Sequence, residues 1–86
     1  MNKDQMIQPL LAEFFGTAII MLGFVYFKSF PVFIVIYVIA KSITMGHLNP
    51  LITLWYYFGG KINVATAVSY VIAQVLAVVI IAKTDL

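Results

Sequence analysis

The sequence predicts an all-α membrane protein of three transmembrane helices plus one short re-entrant half-helix, and three observations carry this. Of 86 residues, 64% are hydrophobic and only 9% charged, against about one-half and one-quarter in soluble domains. Two predominantly apolar runs reach about 19 residues each, the length that crosses a bilayer. Between them, flanked by apolar sequence, lies a stretch of poor helix formers, Ser42-Ile43-Thr44-Met45-Gly46-His47-Leu48-Asn49-Pro50. A soluble chain of this size buries only roughly 60–65% of its unfolded surface. Most of its Val, Ile and Phe side chains would face water, so lipid is the expected solvent.

The first helix is expected over residues 9–27, with Pro9 as first helical residue, and is about 28 Å long. A secretory signal is the competing reading of this run. Its length exceeds the usual apolar core of a signal peptide and no small-x-small cleavage pattern follows, so it reads as a retained span. Lys28-Ser29-Phe30-Pro31 then breaks the pattern with a polar cap and a fresh proline start. The second helix, 31–43, is about 20 Å long and short of the roughly 30 Å hydrocarbon layer.

The segment 44–58 is expected to form a loop and half-helix. Non-helical backbone at membrane depth survives only where protein or a wet cavity satisfies its polar groups. Asn49 before Pro50 is the chemistry of a helix start: a side-chain cap, then a residue with no N–H to leave unpaired. Gly59-Gly60 stops that helix near residue 58. Asn63 is a candidate cap for the last helix, 64–82, again about 28 Å long. Residues 1–86 thus make one transmembrane domain.

Ala65, Ser69, Ala73 and Ala77 recur at four-residue spacing and Ala12 and Gly16 do the same upstream, ridges of small side chains that let helices approach closely. Tyr26, Trp55, Tyr56 and Tyr57 fit an interfacial aromatic belt. Glu13 lies inside the first helix, where a carboxylate is expected to face protein as a buried brace; the alternative is a side chain reaching back to the headgroups. His47 is expected neutral and bonded to a loop carbonyl, ahead of a role as a titrating gate. Gln74 either bridges helices or braces the loop. Lys41 is expected to snorkel to the interface, with plugging of a pore mouth as the other reading.

Net charge is +2, carried by five dispersed lysines and no arginine, so no basic patch exists to neutralise phosphates and nucleic acid is not an expected partner. Cysteine is absent, which excludes disulfides and thiolate metal sites. One histidine and three carboxylates form no recognisable catalytic or metal cluster, so neither an enzyme nor a metal or other cofactor is expected. The closing Lys83-Thr84-Asp85-Leu86 reads as a plain hydrophilic tail, with only a loose likeness to an ER-retrieval signal.

Gly46-His47-Leu48-Asn49-Pro50, Thr53, Gly59-Gly60 and Tyr70-Val71-Ile72-Ala73-Gln74-Val75, with Ala12-Glu13-Phe14-Phe15-Gly16-Thr17 upstream, resemble the first repeat of the aquaporin and glycerol-channel (major intrinsic protein) family. Family proteins are twice as long: two repeats lie inverted in the membrane, each sending a half-helix headed by Asn-Pro-Ala to the midplane. The resemblance implies a multi-pass integral membrane protein and a pore for water or small neutral solutes such as glycerol. It assigns the re-entrant motif to Gly46, His47, Asn49, Pro50 and Leu51, part of the hydrophilic wall to the carbonyls of residues 44–47, and loop bracing to Glu13 and Gln74. Three features depart from the pattern. Leu51 stands where alanine is usual, no arginine is present for the selectivity filter, and the segment between Glu13 and Asn49 is shortened, with Lys41 where small residues are common.

Two functions follow. One is a half-channel completed by a homo-oligomer containing an inverted copy, or by a partner carrying a second repeat. The other is a nonconducting structural membrane subunit or truncated remnant. With three crossings, Lys3, Lys61 and Lys41 fall on one side and Lys28 and Lys83 on the other, a balance that specifies orientation weakly.

Overall fold

The computed structural model describes residues 3–84, with side chains described from residue 7. It comprises four helices: α1 Lys3–Phe27, α2 Phe30–Thr44, α3 Pro50–Phe58 and α4 Val64–Lys83. No strand occurs among the described residues. α1 packs against both α2 and α4, and α3 packs against α4. The longest dimension, 37 Å, matches a 25-residue helix at 1.5 Å per residue.

Two helices, Ile7–Phe27 within α1 and Val64–Lys83, are long and apolar enough to cross a membrane, while Phe30–Thr44 is apolar but shorter. The three largest fully buried side chains are Gln74, Glu13 and Thr53, all polar, whereas Phe15, Ile19, Phe30, Ile43, Leu51 and Trp55 lie exposed. A water-soluble fold arranges these the other way round. Polar groups inside and apolar groups outside is the distribution that hydrocarbon solvent selects. A small apolar cluster of Ile20, Ala40 and Leu48, backed by Phe33, Ile36 and Tyr37, sits where α1 and α2 meet the loop after α2.

The caps follow the local chemistry. Ser29 accepts from Val32 N–H at a long 3.5 Å with Pro31 beside it. Asn49 accepts from Leu51 N–H at 2.8 Å, and Asn63 accepts from Thr66 N–H at 2.8 Å. At the end of α3, Gly60 takes the left-handed conformation (φ 74°) that glycine adopts without strain.

Three expectations change. α1 begins at Lys3, so Pro9 lies inside the helix rather than at its start. Its ring removes only the bond to the carbonyl of residue 5, close to the polar end of the helix where water can take that group. The four-residue ridge on α4 is buried only in its second half: Ala73 and Ala77 are buried, Ser69 is half-buried with its hydroxyl on the Ala65 carbonyl, and Ala65 is exposed. At 3.6 residues per turn a strict four-residue stripe drifts about 40° per step, and the buried stripe becomes Ala67, Ala73, Gln74 and Ala77. Ala12 is half-buried and Gly16 is buried, but Gly16 makes room for the loop: an added Cβ would lie 2.5 Å from Leu48 Cδ2. In the aromatic set, Tyr26 and Trp55 are exposed, Tyr57 is half-buried, and Tyr56 instead stacks on His47 with centroids 4.6 Å apart.

Candidate functional site

α2 ends because the chain reverses at Met45, which takes a left-handed conformation (φ 58°) and bonds its N–H to the Lys41 carbonyl at 2.8 Å. Thr44 Oγ1 donates to the Ala40 carbonyl and accepts from Gly46 N–H. Leu48 is left-handed too (φ 59°) and delivers the chain into Asn49, extended at φ −157°, where α3 begins. Each left-handed non-glycine residue costs roughly 1–2 kcal/mol, so the turn needs outside support. That support comes from all four helices.

Glu13 of α1, 1% exposed, supplies most of it. Its Oε2 accepts from His47 N–H at 2.6 Å and its Oε1 accepts from Leu48 N–H at 2.8 Å. Gln74 of α4 donates from Nε2 to the same Oε1 at 2.7 Å and to Thr53 Oγ1 of α3 at 3.0 Å. Thr53 Oγ1 is 2.9 Å from His47 Nδ1. From α2, Lys41 Nζ donates to the Gly46 carbonyl at 2.8 Å and Tyr37 Oη donates to the His47 carbonyl at 2.8 Å. A carboxylate thus gathers the loop's N–H groups on one face while an ammonium and a phenol hold its carbonyls on the other. Charge-assisted bonds of this kind are the strong ones in low dielectric.

Gly46 explains itself in this frame. It is buried and outside the left-handed region that the turn imposes on Met45 and Leu48. A Cβ there would lie 2.5 Å from Glu13 Oε2, so the position lacks a side chain to admit the carboxylate.

Three cavities border the loop. One of about 510 Å³ is lined by Gln8, Ala12, Glu13, Gly46, His47 and Tyr70. A second of about 540 Å³ is lined by Tyr37, Lys41, Ser42, His47 and Tyr56. The third, about 280 Å³, lies at the head of α3 among Thr17, Tyr37, Leu48, Asn49, Pro50 and Gln74. Thr17 Oγ1 and Gln74 Oε1 are buried without a hydrogen-bond partner among the described residues.

The structure therefore brings together Glu13, Gly46, His47, Asn49 and Gln74. Pro50 and Leu51 follow in the first turn of α3, both exposed, Leu51 at 73%. Two sequence expectations do not hold. His47 meets a threonine hydroxyl through Nδ1 rather than a loop carbonyl, while the Gly46 and His47 carbonyls accept from Lys41 and Tyr37. Lys41 turns inward onto Gly46 rather than out to the interface, since the Gly46 carbonyl has no helical partner and lies within its reach. Tyr37 and Lys41 were recognisable together as a polar pair at i, i+4 in an otherwise apolar helix. Thr53 stands four residues after Asn49, on the same face of α3. Among the described residues no group of three or more His, Cys, Asp or Glu side chains is placed to hold a metal ion.

Residues 25–84 match the family described as major intrinsic protein. The chain is 30% identical over 94 aligned residues to the glycerol uptake facilitator protein of Buchnera aphidicola subsp. Acyrthosiphon pisum, an alignment covering 87% of this chain and 35% of that protein. The chain thus spans about a third of the length of the curated relative it matches. No solved structure matches it. The chain is an integral membrane protein that belongs to the major intrinsic protein family, whose members are channels rather than enzymes.

Proposed function

We propose that the chain is one half of a transmembrane pore for water or small neutral solutes such as glycerol. In this reading α1, α2 and α4 cross the bilayer and α3 is a re-entrant half-helix headed by Asn49. The observation that carries it is the identity of the buried side chains. Glu13, Thr53 and Gln74, the three largest fully buried ones, are joined in one network that holds residues 47 and 48. A protein does not place a carboxylate at membrane depth without a use for what it holds. At nine residues, α3 is about 13 Å long, less than half the hydrocarbon thickness. It can enter the membrane but not cross it. α2, about 22 Å long, crosses with help from the turns at its ends or from local thinning of the bilayer.

Completion requires a second half-helix, supplied by an inverted copy of this chain or by a partner carrying the second repeat. The head of α3 supports this. The cavity beside Asn49 is bordered by Thr17 and Gln74, whose unpartnered oxygens lack donors. Lysines near the two ends of the crossings divide three to two, a bias weak enough to permit dual insertion. Asn2→Cys labelled from each side of intact cells tests this arm: labelling from one side only eliminates the antiparallel homodimer and leaves a second protein as partner.

Conduction is tested by stopped-flow glycerol and water uptake into proteoliposomes. The reading expects uptake faster than in protein-free vesicles and lost in Asn49→Leu. Equal uptake with and without protein favours the second reading, a nonconducting membrane subunit. Two observations lean toward that second reading: the Lys41 ammonium occupies a carbonyl of the expected hydrophilic wall, and Leu51 adds bulk beside Asn49.

A further inference from the structure

We propose that Gln74 and Thr53 are positioning residues that hold His47 in the tautomer with its proton on Nε2, making it a fixed hydrogen-bond donor between the two larger cavities. The chain of hydrogen bonds starts at Glu13. Its two oxygens receive His47 N–H, Leu48 N–H and the Gln74 amide, so they act as acceptors and Gln74 must turn its NH₂ group toward them. The second N–H of that group points at Thr53 Oγ1, 3.0 Å away. Thr53 Oγ1 then accepts from Gln74, and its own proton needs an acceptor. His47 Nδ1, at 2.9 Å, is the acceptor in reach. A nitrogen that accepts carries no proton, so the neutral ring carries its proton on Nε2.

The opposite tautomer fails on counting. With a proton on Nδ1, Thr53 Oγ1 would face two N–H donors and its own hydroxyl proton would have no acceptor among the described residues. Thr53 is 0% exposed, so water cannot stand in. The stack on Tyr56 (4.6 Å, 11°) and the edge contact with Tyr70 (5.0 Å) fix the plane of the ring, and a half-turn within that plane would put Cδ2 where Nδ1 stands and leave the Thr53 hydroxyl proton without its acceptor. The order of bonds, Glu13 to Gln74 to Thr53 to His47, transmits the acceptor character of one buried carboxylate to the far side of an imidazole.

The consequence rests on the channel reading. His47 lines both the cavity beside Glu13 and Tyr70 and the cavity beside Lys41 and Tyr56. The Gly46 and His47 carbonyls each already accept a bond from this chain. The His47 Nε2–H would thus join the Lys41 ammonium as a hydrogen-bond donor at the edge of these cavities.

The experiment is ¹⁵N NMR of the protein labelled at histidine, whose one histidine needs no assignment, at about pH 8, where imidazole is ordinarily neutral. The proposal expects a single tautomer, Nε2 protonated and Nδ1 bare with the shift of a hydrogen-bond acceptor. Thr53→Ser should preserve that spectrum. Thr53→Val and Gln74→Leu should each lose the acceptor-bonded Nδ1 signature or populate a second tautomer. A protonated Nδ1 in the unaltered protein overturns the proposal whether or not the variants fold, and so does a Thr53→Val spectrum identical to the original. Glycerol uptake measured on the same preparations separates the two claims: absent uptake counts against the channel reading, while the nitrogen spectrum alone decides the tautomer.

Discussion

Replacing Glu13 by leucine leaves the volume of the site nearly unchanged and removes every acceptor it offers. Three N–H groups lose their partner: His47 N, Leu48 N and one hydrogen of Gln74 Nε2. At about 1–3 kcal/mol for each orphaned group, Glu13→Leu is expected to lose about 3–9 kcal/mol, comparable with the whole stability of a small domain. Glu13→Gln keeps one oxygen, which can still serve Leu48 N–H and Gln74, and turns an NH₂ group toward His47 N–H. Two groups are orphaned instead of three, His47 N–H and the new amide NH₂, an expected loss of about 2–6 kcal/mol. Thermal and SDS-induced unfolding in detergent, followed by circular dichroism, measures both variants against the original protein. Two variants of equal stability would refute the reasoning, because a carboxylate reaching for the headgroups loses the same little in either case.

Further outcomes follow from the same geometry. Gly46→Ala drives a methyl group to within 2.5 Å of Glu13 Oε2 and is expected to cost about 1–3 kcal/mol by overpacking; stability unchanged in thermal unfolding would count against it. Gly16→Ala should destabilise by displacing Leu48, and Leu48→Ala in that background should recover part of the loss, a coupling that a double-mutant cycle reads directly. Lys41→Met removes a charge-assisted bond of about 1.5–3 kcal/mol but spares the three bonds to Glu13, so it should melt above Glu13→Leu, and the reverse order would place Lys41 ahead of Glu13 in holding the loop.

The helix boundaries from α2 onward were legible because their signals are local. Asn49 with Pro50, Asn63, and Gly59-Gly60 act within a turn of where they stand, and α3 and α4 begin where those signals put them. α1 was misjudged at its start because a proline permits a helix start without requiring one. The site was legible in part. A glutamate and a glutamine in apolar helices announce that each needs a partner, but not which partner. That the Glu13 carboxylate gathers two loop N–H groups and an amide depends on α1 and α4 packing side by side, which no local signal encodes. The same holds for Gly46. Glycine before a turn invites a left-handed reading, yet here Met45 and Leu48 are left-handed and Gly46 is small for the sake of a neighbour 33 positions away in sequence.

The central claim is that α3 enters the membrane head first with Asn49 deep and Phe58 shallow. The chain has no cysteine, so nitroxide labels can be placed singly at Leu51, Leu54 and Phe58, all exposed on the isolated chain, with Ile72 on α4 as a reference. Their depth in the bilayer is read from the relative accessibility to oxygen and to a water-soluble paramagnetic complex. From residue 51 to residue 58 the helix advances about 10 Å. The account predicts that the label at 51 is as deep as the one at 72, and that depth falls steadily through 54 to a headgroup position at 58. Three equally shallow labels, or a depth maximum between 51 and 58, would contradict it.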